Sequence, residues 1–118
     1  MNIGNVELHT LPRRTGKTSM LINMIRKDKN KIGLVTPNHV MAKYILNRVL
    51  ESVKQLETPE QILAFDAGSD TTIYVEEWYC ISQDVQDVLI KVSLGDNVKV
   101  AAVGTSPEMQ IQFIGRNR

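Results

Sequence analysis

The amino-acid sequence predicts an α/β domain in three layers, with a mostly parallel sheet carrying helices on both faces. Strand-like and helix-like segments alternate along the whole chain, which is typical of parallel strands joined by crossover helices. The 118 residues, 42% of them hydrophobic, suit one domain with an aliphatic core, because aromatic residues make up only 5%. We therefore predict a single domain over residues 1–118.

The first half of the chain predicts two strand–helix pairs. Residues 6–11 and 32–36 have the composition of short strands, and Pro37-Asn38 ends the second. Residues 17–27 and 40–53 are predicted helices, because their apolar side chains recur at helical spacing. Those side chains are Met20, Leu21, Met24 and Ile25 in the first helix and Met41, Tyr44, Ile45 and Val49 in the second.

The second half of the chain continues the alternation of predicted strands and helices. Thr58-Pro59-Glu60-Gln61 predicts a short helix, because Thr58 can cap it and Gln61 can close a capping box. Residues 71–75 are all β-branched or aromatic and predict a buried strand. The remaining predictions are a turn at 66–70, a helix at 83–92 capped by Ser82, a strand at 99–103, an edge strand at 109–114 and a frayed tail at 116–118.

The charge, the cysteine content and the hydropathy of the chain limit the functions that it could have. With 14 basic and 13 acidic residues the net charge is +1, so any phosphate-binding surface must be local. The basic stretch at 26–31 is interpreted as a solvated helix end. The single cysteine, Cys80, excludes an internal disulfide and is expected to be buried. With no apolar run of membrane-spanning length, we predict a cytoplasmic protein without a membrane partner.

The run Leu11-Pro12-Arg13-Arg14-Thr15-Gly16-Lys17-Thr18 follows a predicted strand and opens a predicted helix, which is the context of a Walker A phosphate loop. Its backbone N–H groups, at Arg13, Arg14, Thr15 and Gly16, are expected to face phosphates. Lys17 is expected near the β and γ phosphates, and Thr18 offers a hydroxyl to Mg²⁺. Leu11 stands where the usual pattern has glycine. The alternative is a basic turn before an amphipathic helix.

Two acids, Glu76 and Glu77, follow the buried strand at 71–75. In P-loop enzymes the first acid orders Mg²⁺ and the second polarises the attacking water, so Glu76 is the predicted metal residue and Glu77 the predicted catalytic residue. The alternative is two exposed acids at a strand end. Thr105 and Ser106 follow the last strand and either contact the γ phosphate or form an ordinary turn. Trp78 and Tyr79 are expected to be packing residues, and neither His9 nor His39 has partners at metal spacing.

These residues resemble the ATPase core of viral DNA-packaging terminase large subunits and related helicase-like motors. The loop resembles their arginine-containing Walker A, the run 34–38 is similar to helicase motif Ia, 74–77 to Walker B and 103–107 to the coupling motif III. The resemblance implies ATP, Mg²⁺, a viral protein in the host cytoplasm, and a strand inserted between the loop strand and the Walker B strand. It also implies that Arg14 or Arg13 senses ATP, with Arg14 as a catalytic residue. Glu76 in place of aspartate departs from the family pattern.

Three functions stay open from the sequence. The first is an ATP-binding, Mg²⁺-dependent minimal P-loop NTPase acting on or near DNA or RNA, with a protein partner or second copy completing its site. Neither a nuclease domain nor the later helicase motifs occur in these residues, so a complete motor is not expected. The second is a non-catalytic P-loop-fold interaction protein that binds a partner. The third is a small nucleic-acid-binding domain whose basic loop contacts the backbone phosphates.

Overall fold

Five parallel strands and four α-helices make up the described part of the computed structural model, which covers residues 4–12, 16–49, 52–65 and 70–105. The strands are β1 (Glu7–Thr10), β2 (Lys31–Val35), β3 (Lys54–Gln55), β4 (Thr71–Val75) and β5 (Val98–Gly104). The helices are α1 (Lys17–Lys27), α2 (His39–Leu46), α3 (Pro59–Phe65) and α4 (Gln83–Ser93), and a 3₁₀ helix spans Trp78–Cys80.

The strands form one sheet in the order β1-β5-β4-β2-β3, and all neighbouring pairs are parallel. The predicted α/β class with a parallel sheet is therefore confirmed. Strand β5 lies between β1 and β4, with Tyr74 of β4 opposite Ala101 and Leu8 of β1 opposite Ala102. Because the strands are parallel, the segments that follow β1, β4 and β5 lie along the same edge of the sheet.

The core consists of two apolar clusters, one on each face of the sheet. Alternate residues of the central strands point to opposite faces, so Tyr74 belongs to one cluster while Ile73 and Val75 belong to the other. Helices α1 and α2 contribute Leu21, Ile22, Ile25 and Ile45 to the first cluster. Helices α3 and α4 contribute Ile62, Phe65, Val85, Leu89 and Val92 to the second. Helices thus cover both faces, which gives three layers.

The strongest local patterns are confirmed. Helix α1 and strand β4 have the predicted bounds. The capping box also forms: Gln61 Oε1 accepts from the backbone N–H groups of Glu57 and Thr58 at 2.6 and 3.2 Å, and Thr58 Oγ1 accepts from Gln61 N–H at 3.2 Å. Trp78 is buried, as expected of a packing residue. None of the helices in the described ranges is long and apolar enough to cross a membrane.

The segment predicted as one helix over 40–53 is different in the structure. Helix α2 ends at Leu46, and the chain then reaches β3, which pairs with β2 and was not predicted. Val53 is buried before β3, whereas Tyr44 is 45% exposed instead of facing the core. The physical reason is non-local, because backbone pairing with β2 outweighs the local helical spacing.

Smaller predictions also need correction or fall outside the described residues. Cys80 is exposed, because the 3₁₀ helix buries Trp78 and turns the cysteine outward. Ser82 takes the N-cap position of α4, but its side chain makes no capping hydrogen bond. The predicted edge strand at 109–114, the tail at 116–118 and most of the turn at 66–70 lie outside the described ranges.

Candidate functional site

Gly16 and the start of α1 lie next to the two acids after β4 at the carboxyl edge of the sheet. Between them is an open cavity of about 280 Å³, lined by Gly16, Lys17, Thr18, Ser19, Met41, Glu76 and Glu77. The backbone N–H of Glu76 donates to the carbonyl of Val35 at 2.9 Å, which fixes Glu76 directly beyond the β2–β4 pairing. The structure therefore brings together five of the predicted site residues: Gly16, Lys17, Thr18, Glu76 and Glu77.

Thr18 and Glu76 are joined directly, although 58 positions separate them in sequence. The Thr18 hydroxyl donates to Oε1 of Glu76 at 2.9 Å. Glu76 is only 2% exposed, and its second oxygen, Oε2, is buried without a hydrogen-bond partner among the described residues. A buried, unpaired carboxylate oxygen is costly, so it marks a position where a cation or donor would be stabilised.

The environment of Glu76 raises its pKa above the ordinary value. Burial is the main cause, and the negative charge of Glu77 acts in the same direction. The Thr18 hydrogen bond and the positive charge of Lys17 oppose the increase without cancelling it. The charged form of Glu76 therefore lacks sufficient stabilisation from the side chains around it.

Lys17 lies between the loop and the second acid. Its Nζ is 3.6 Å from Oε1 of Glu77 and donates to the carbonyl oxygen of Pro12 at 3.3 Å. The side chain of Lys17 is 10% exposed and that of Glu77 is 22% exposed, so the ion pair is partly sheltered from water. Glu77 has φ +54° and ψ +70°, a left-handed conformation that is uncommon for a non-glycine residue.

Gly16 occupies the position before the first residue of α1 with φ +83° and ψ +28°. A Cβ at this position would have no atom within 4 Å, so the conformation, rather than crowding, favours glycine. The carbonyl of Gly16 accepts from Met20 N–H at 2.9 Å, which begins the hydrogen bonding of α1. No side chain of the described residues caps this helix, and its first turn contains no acid. These first-turn amides suit an anion.

The remaining predicted site residues are not brought into this geometry. Arg13, Arg14, Thr15 and Ser106 lie outside the described residues. Thr105 is buried at the end of β5 and is not among the residues that line the cavity in the described part of the chain, so its contact with a phosphate stays a prediction.

Sequence reasoning missed two lining residues. Ser19 follows the Gly-Lys-Thr run directly, which is the signal that was available. Met41 was assigned to the apolar stripe of α2, but it also lines the cavity. Asn38 places this helix: its side chain caps α2 by accepting from Met41 N–H at 2.8 Å.

The oxygen atoms at the site are suited to Mg²⁺. A threonine hydroxyl and a carboxylate are hard ligands, and Mg²⁺ in nucleotide sites is held by one or two such groups together with phosphates and water. The described ranges contain no cluster of three or more His, Cys, Asp or Glu side chains that could hold a metal alone. Thr18 and Glu76 therefore fit a magnesium ion that arrives with a nucleotide, but not a self-sufficient metal site.

Comparisons with known proteins add no assignment. No protein-family model matches the chain, and no curated protein matches it. The sheet and the cavity with its seven lining residues define an α/β protein with a candidate anion and cation site, and the function has to be argued from that site.

Proposed function

We propose that this protein is a minimal P-loop NTPase that binds ATP with Mg²⁺ and acts on or near nucleic acid. One observation carries the proposal: the Thr18 hydroxyl and the buried carboxylate of Glu76 share a cavity with Lys17 and the start of α1. Among the described residues, Oε2 of Glu76 has no hydrogen-bond partner and no side chain caps α1. A cation next to Glu76 and an anion next to Lys17 would each be stabilised there, and Mg²⁺-nucleotide supplies both.

Each lining residue has a specific role in this proposal. Lys17 and the backbone at Gly16 would bind the phosphates, while Thr18 and Glu76 would hold Mg²⁺. When bound, Mg²⁺ neutralises charge on the phosphate oxygens. Phosphates would compete with Glu77 for the ammonium of Lys17, whose Nζ lies 3.6 Å from Oε1 of Glu77. Once Lys17 binds a phosphate, Glu77 would be free to orient a water. Arg13 and Arg14 remain candidates for phosphate contact.

The strand order supports this assignment. A strand between the loop strand and the acidic strand is the arrangement that the family resemblance implies, and β5 lies in that position. The structure also accounts for the leucine that replaces the usual glycine. Leu11 N–H donates to the carbonyl of Gly104 at 3.0 Å, so Leu11 continues the pairing of β1 with β5 and a side chain is tolerated.

The cavity opens to solvent on one side, which weakens electrostatic stabilisation of a transition state. We therefore expect the isolated chain to hydrolyse ATP slowly, with a protein partner or second copy covering the site. Hydrolysis per molecule should then rise with protein concentration or with an added partner. A high specific activity that stays constant on dilution would contradict the need for a partner.

Nucleotide binding is the first test. Calorimetry should detect Mg²⁺-ATP binding, and Lys17→Ala should remove a charge-assisted contact worth about 1.5–3 kcal/mol, or roughly tenfold or more in affinity. Lys27→Ala, at the other end of α1, removes the same charge away from the cavity and should bind as the wild type does. Absence of ATP and GTP binding at millimolar concentration, or equal binding by Lys17→Ala, would refute the phosphate-loop assignment.

Turnover separates the NTPase from the non-catalytic interaction protein. Glu77→Gln should retain ATP affinity but lose hydrolysis, because an amide cannot take up the proton of the attacking water. Hydrolysis that is unchanged in Glu77→Gln would assign the catalytic role to another group. ATP binding without hydrolysis under any condition would favour the non-catalytic protein.

A further inference from the structure

The two helical layers carry opposite charge, a segregation that the net charge of +1 conceals. Helices α1 and α2 contain Lys17, Arg26, Lys27 and Lys43 and no acid, and Arg48 follows α2. Helices α3 and α4 on the other face contain Glu60, Asp84, Asp87 and one cation, Lys91. The positive layer is the one that begins at the candidate site.

Within that layer five side chains are exposed and are here called the basic face: Arg26, Lys27, Lys43, Tyr44 and Arg48. Arg26 Nε donates to the carbonyl of Arg48 at 2.9 Å, which joins the end of α1 to the turn after α2. No carboxylate of the described residues lies within 4.0 Å of a nitrogen of these four cations. Their charge is therefore available to an external anion.

An aromatic platform lies in the middle of the basic face. The guanidinium of Arg48 lies 3.6 Å from the centroid of the Tyr44 ring, and Arg48 Nη1 also donates to the Tyr44 carbonyl at 2.9 Å. These contacts hold the guanidinium over the ring, while Tyr44 remains 45% exposed. A ring with a guanidinium over it, in a layer that carries further cations, matches the two requirements of an unpaired nucleotide: stacking for the base and positive charge for the phosphate.

We propose that the basic face binds single-stranded nucleic acid, with a base stacking on the Tyr44–Arg48 pair and the phosphates contacting Lys43, Arg26 and Lys27. The inference rests on the proposed function, since it assigns the surface through which that NTPase meets nucleic acid. The face is linked to the cavity through both helices, because α1 begins at Lys17 and Met41 of α2 lines the cavity. The positive charge of α1 and α2, which contain no acid, favours nucleic acid, and the exposed ring favours a single strand over a duplex.

The test uses fluorescence anisotropy with labelled oligothymidylate and oligouridylate of about 20 nucleotides, longer than the ~4–16 nucleotides that a small single-strand-binding domain covers. Tyr44→Leu, which keeps apolar bulk but removes the ring, should weaken binding about 5- to 150-fold, whereas Tyr44→Phe should bind nearly as the wild type. Lys43→Gln should weaken binding and reduce the slope of log affinity against log salt by about 0.7. Its matched control is Lys91→Gln, which removes the same charge from the opposite layer and should change neither.

Three outcomes would overturn the proposal: equal loss of affinity in Lys43→Gln and Lys91→Gln, unchanged affinity in Tyr44→Leu, or competition by duplex DNA or poly-glutamate as strong as that of the single strand. The last result would identify a general polyanion surface or an acidic protein partner. Lys17→Ala separates this inference from the proposed function, because it should lose ATP and keep oligonucleotide binding. Loss of oligonucleotide binding in Tyr44→Leu with intact ATP binding would support the assignment even if hydrolysis is never found.

Discussion

Replacing Glu76 by glutamine is expected to stabilise the ligand-free fold at neutral and alkaline pH. Glu76 is 2% exposed, and its Oε2 has no hydrogen-bond partner within the described residues, while Oε1 accepts from Thr18. Burial, reinforced by the charge of Glu77, raises the pKa of Glu76 above 4.5. Glutamine keeps the shape and an acceptor for Thr18, but it carries no charge.

The sign and size follow from the direction of the pKa change. Because the folded-state pKa of Glu76 exceeds the unfolded value, its contribution to stability is complete below pH 4.5 and is lost as pH rises through the folded-state pKa. Each unit of increase removes about 1.4 kcal/mol from the free energy of unfolding. Glutamine would place an amide nitrogen at the position of Oε2, which has no hydrogen-bond partner among the described residues, so only the charge is relieved. Glu76→Gln should therefore be more stable at pH 8 by about 1.4 kcal/mol for each unit of that increase.

The assay is urea unfolding in chelator at about pH 4 and about pH 8, followed by the fluorescence of Trp78, the single tryptophan, which is buried. The gain in Glu76→Gln should appear at the higher pH and largely vanish at the lower. The exposed Glu60 gives the control, and Glu60→Gln should change stability by no more than about 0.5 kcal/mol. Thr18→Val removes the donor to Oε1 and should destabilise at high pH.

Adding millimolar Mg²⁺ together with ATP tests the ligand side of the same prediction. A ligand that binds the folded state raises its stability by mass action, so the wild type should gain stability and Glu76→Gln should gain less. The reasoning fails if Glu76→Gln is less stable than the wild type at pH 8 in chelator, or if both proteins lose equal stability between the two pH values. Either result would mean that the Glu76 carboxylate is not an uncompensated buried charge, and the magnesium assignment would lose its main support.

Three further substitutions test the backbone and the packing by urea unfolding. Gly16→Ala should lower the free energy of unfolding by about 1–2 kcal/mol, because φ +83° disfavours a residue with a Cβ. An unchanged free energy of unfolding would contradict the left-handed conformation. Gly33→Ala would place a Cβ 2.6 Å from Leu56 Cδ1 and should lower the free energy of unfolding by about 1–3 kcal/mol. Gly95→Ala, at an exposed position, should change it little, and equal effects of the two substitutions would refute the close contact. Thr58→Ala should lower the free energy of unfolding by about 1 kcal/mol, and Thr58→Ser should lower it much less, because serine keeps the capping hydroxyl. Equal effects of the two substitutions would mean that the capping box does not contribute to stability.

Much of the fold could be predicted because its signals are local. Strand β4 is an unbroken run of β-branched and aromatic residues, and it is buried along its whole length. Helix α1 has apolar residues at helical spacing and a glycine directly before it, so both of its bounds could be predicted. The capping box at Thr58 and Gln61 is encoded within four consecutive residues.

The errors concern features that depend on distant residues. The helical spacing over 40–53 gave no indication that Lys54–Gln55 would pair with β2, because that pairing is made by backbone groups. Tyr44 was expected in the core, but the buried positions of α2 are Ala42 and Ile45. Its exposure and its stacking with Arg48 emerge only from the true end of the helix.

The candidate site, like the fold, could be predicted only in part. Parallel strands place the loop and the acids on one edge of the sheet, and that much could be predicted from the order of the segments. The sequence could not predict that Thr18 donates to Glu76 at 2.9 Å or that Oε2 of Glu76 has no partner among the described residues, since both depend on how α1 packs on the sheet. The segregation of charge was likewise hidden, because total composition does not record which helices share a face.

The residues directly after β4 combine two unfavourable features that packing alone does not require. Glu76 buries a carboxylate with one oxygen unpaired, and Glu77 is the one non-glycine residue with positive φ among those described. Glutamine at the first position, and glycine or asparagine at the second, would allow the same turn into the buried Trp78 with less strain. Such departures from low-energy choices concentrate where side chains serve a ligand, and both of these residues line the cavity with Lys17 and Thr18. The left-handed backbone of Glu77 therefore adds to the unpaired oxygen of Glu76 as support for a ligand at this cavity.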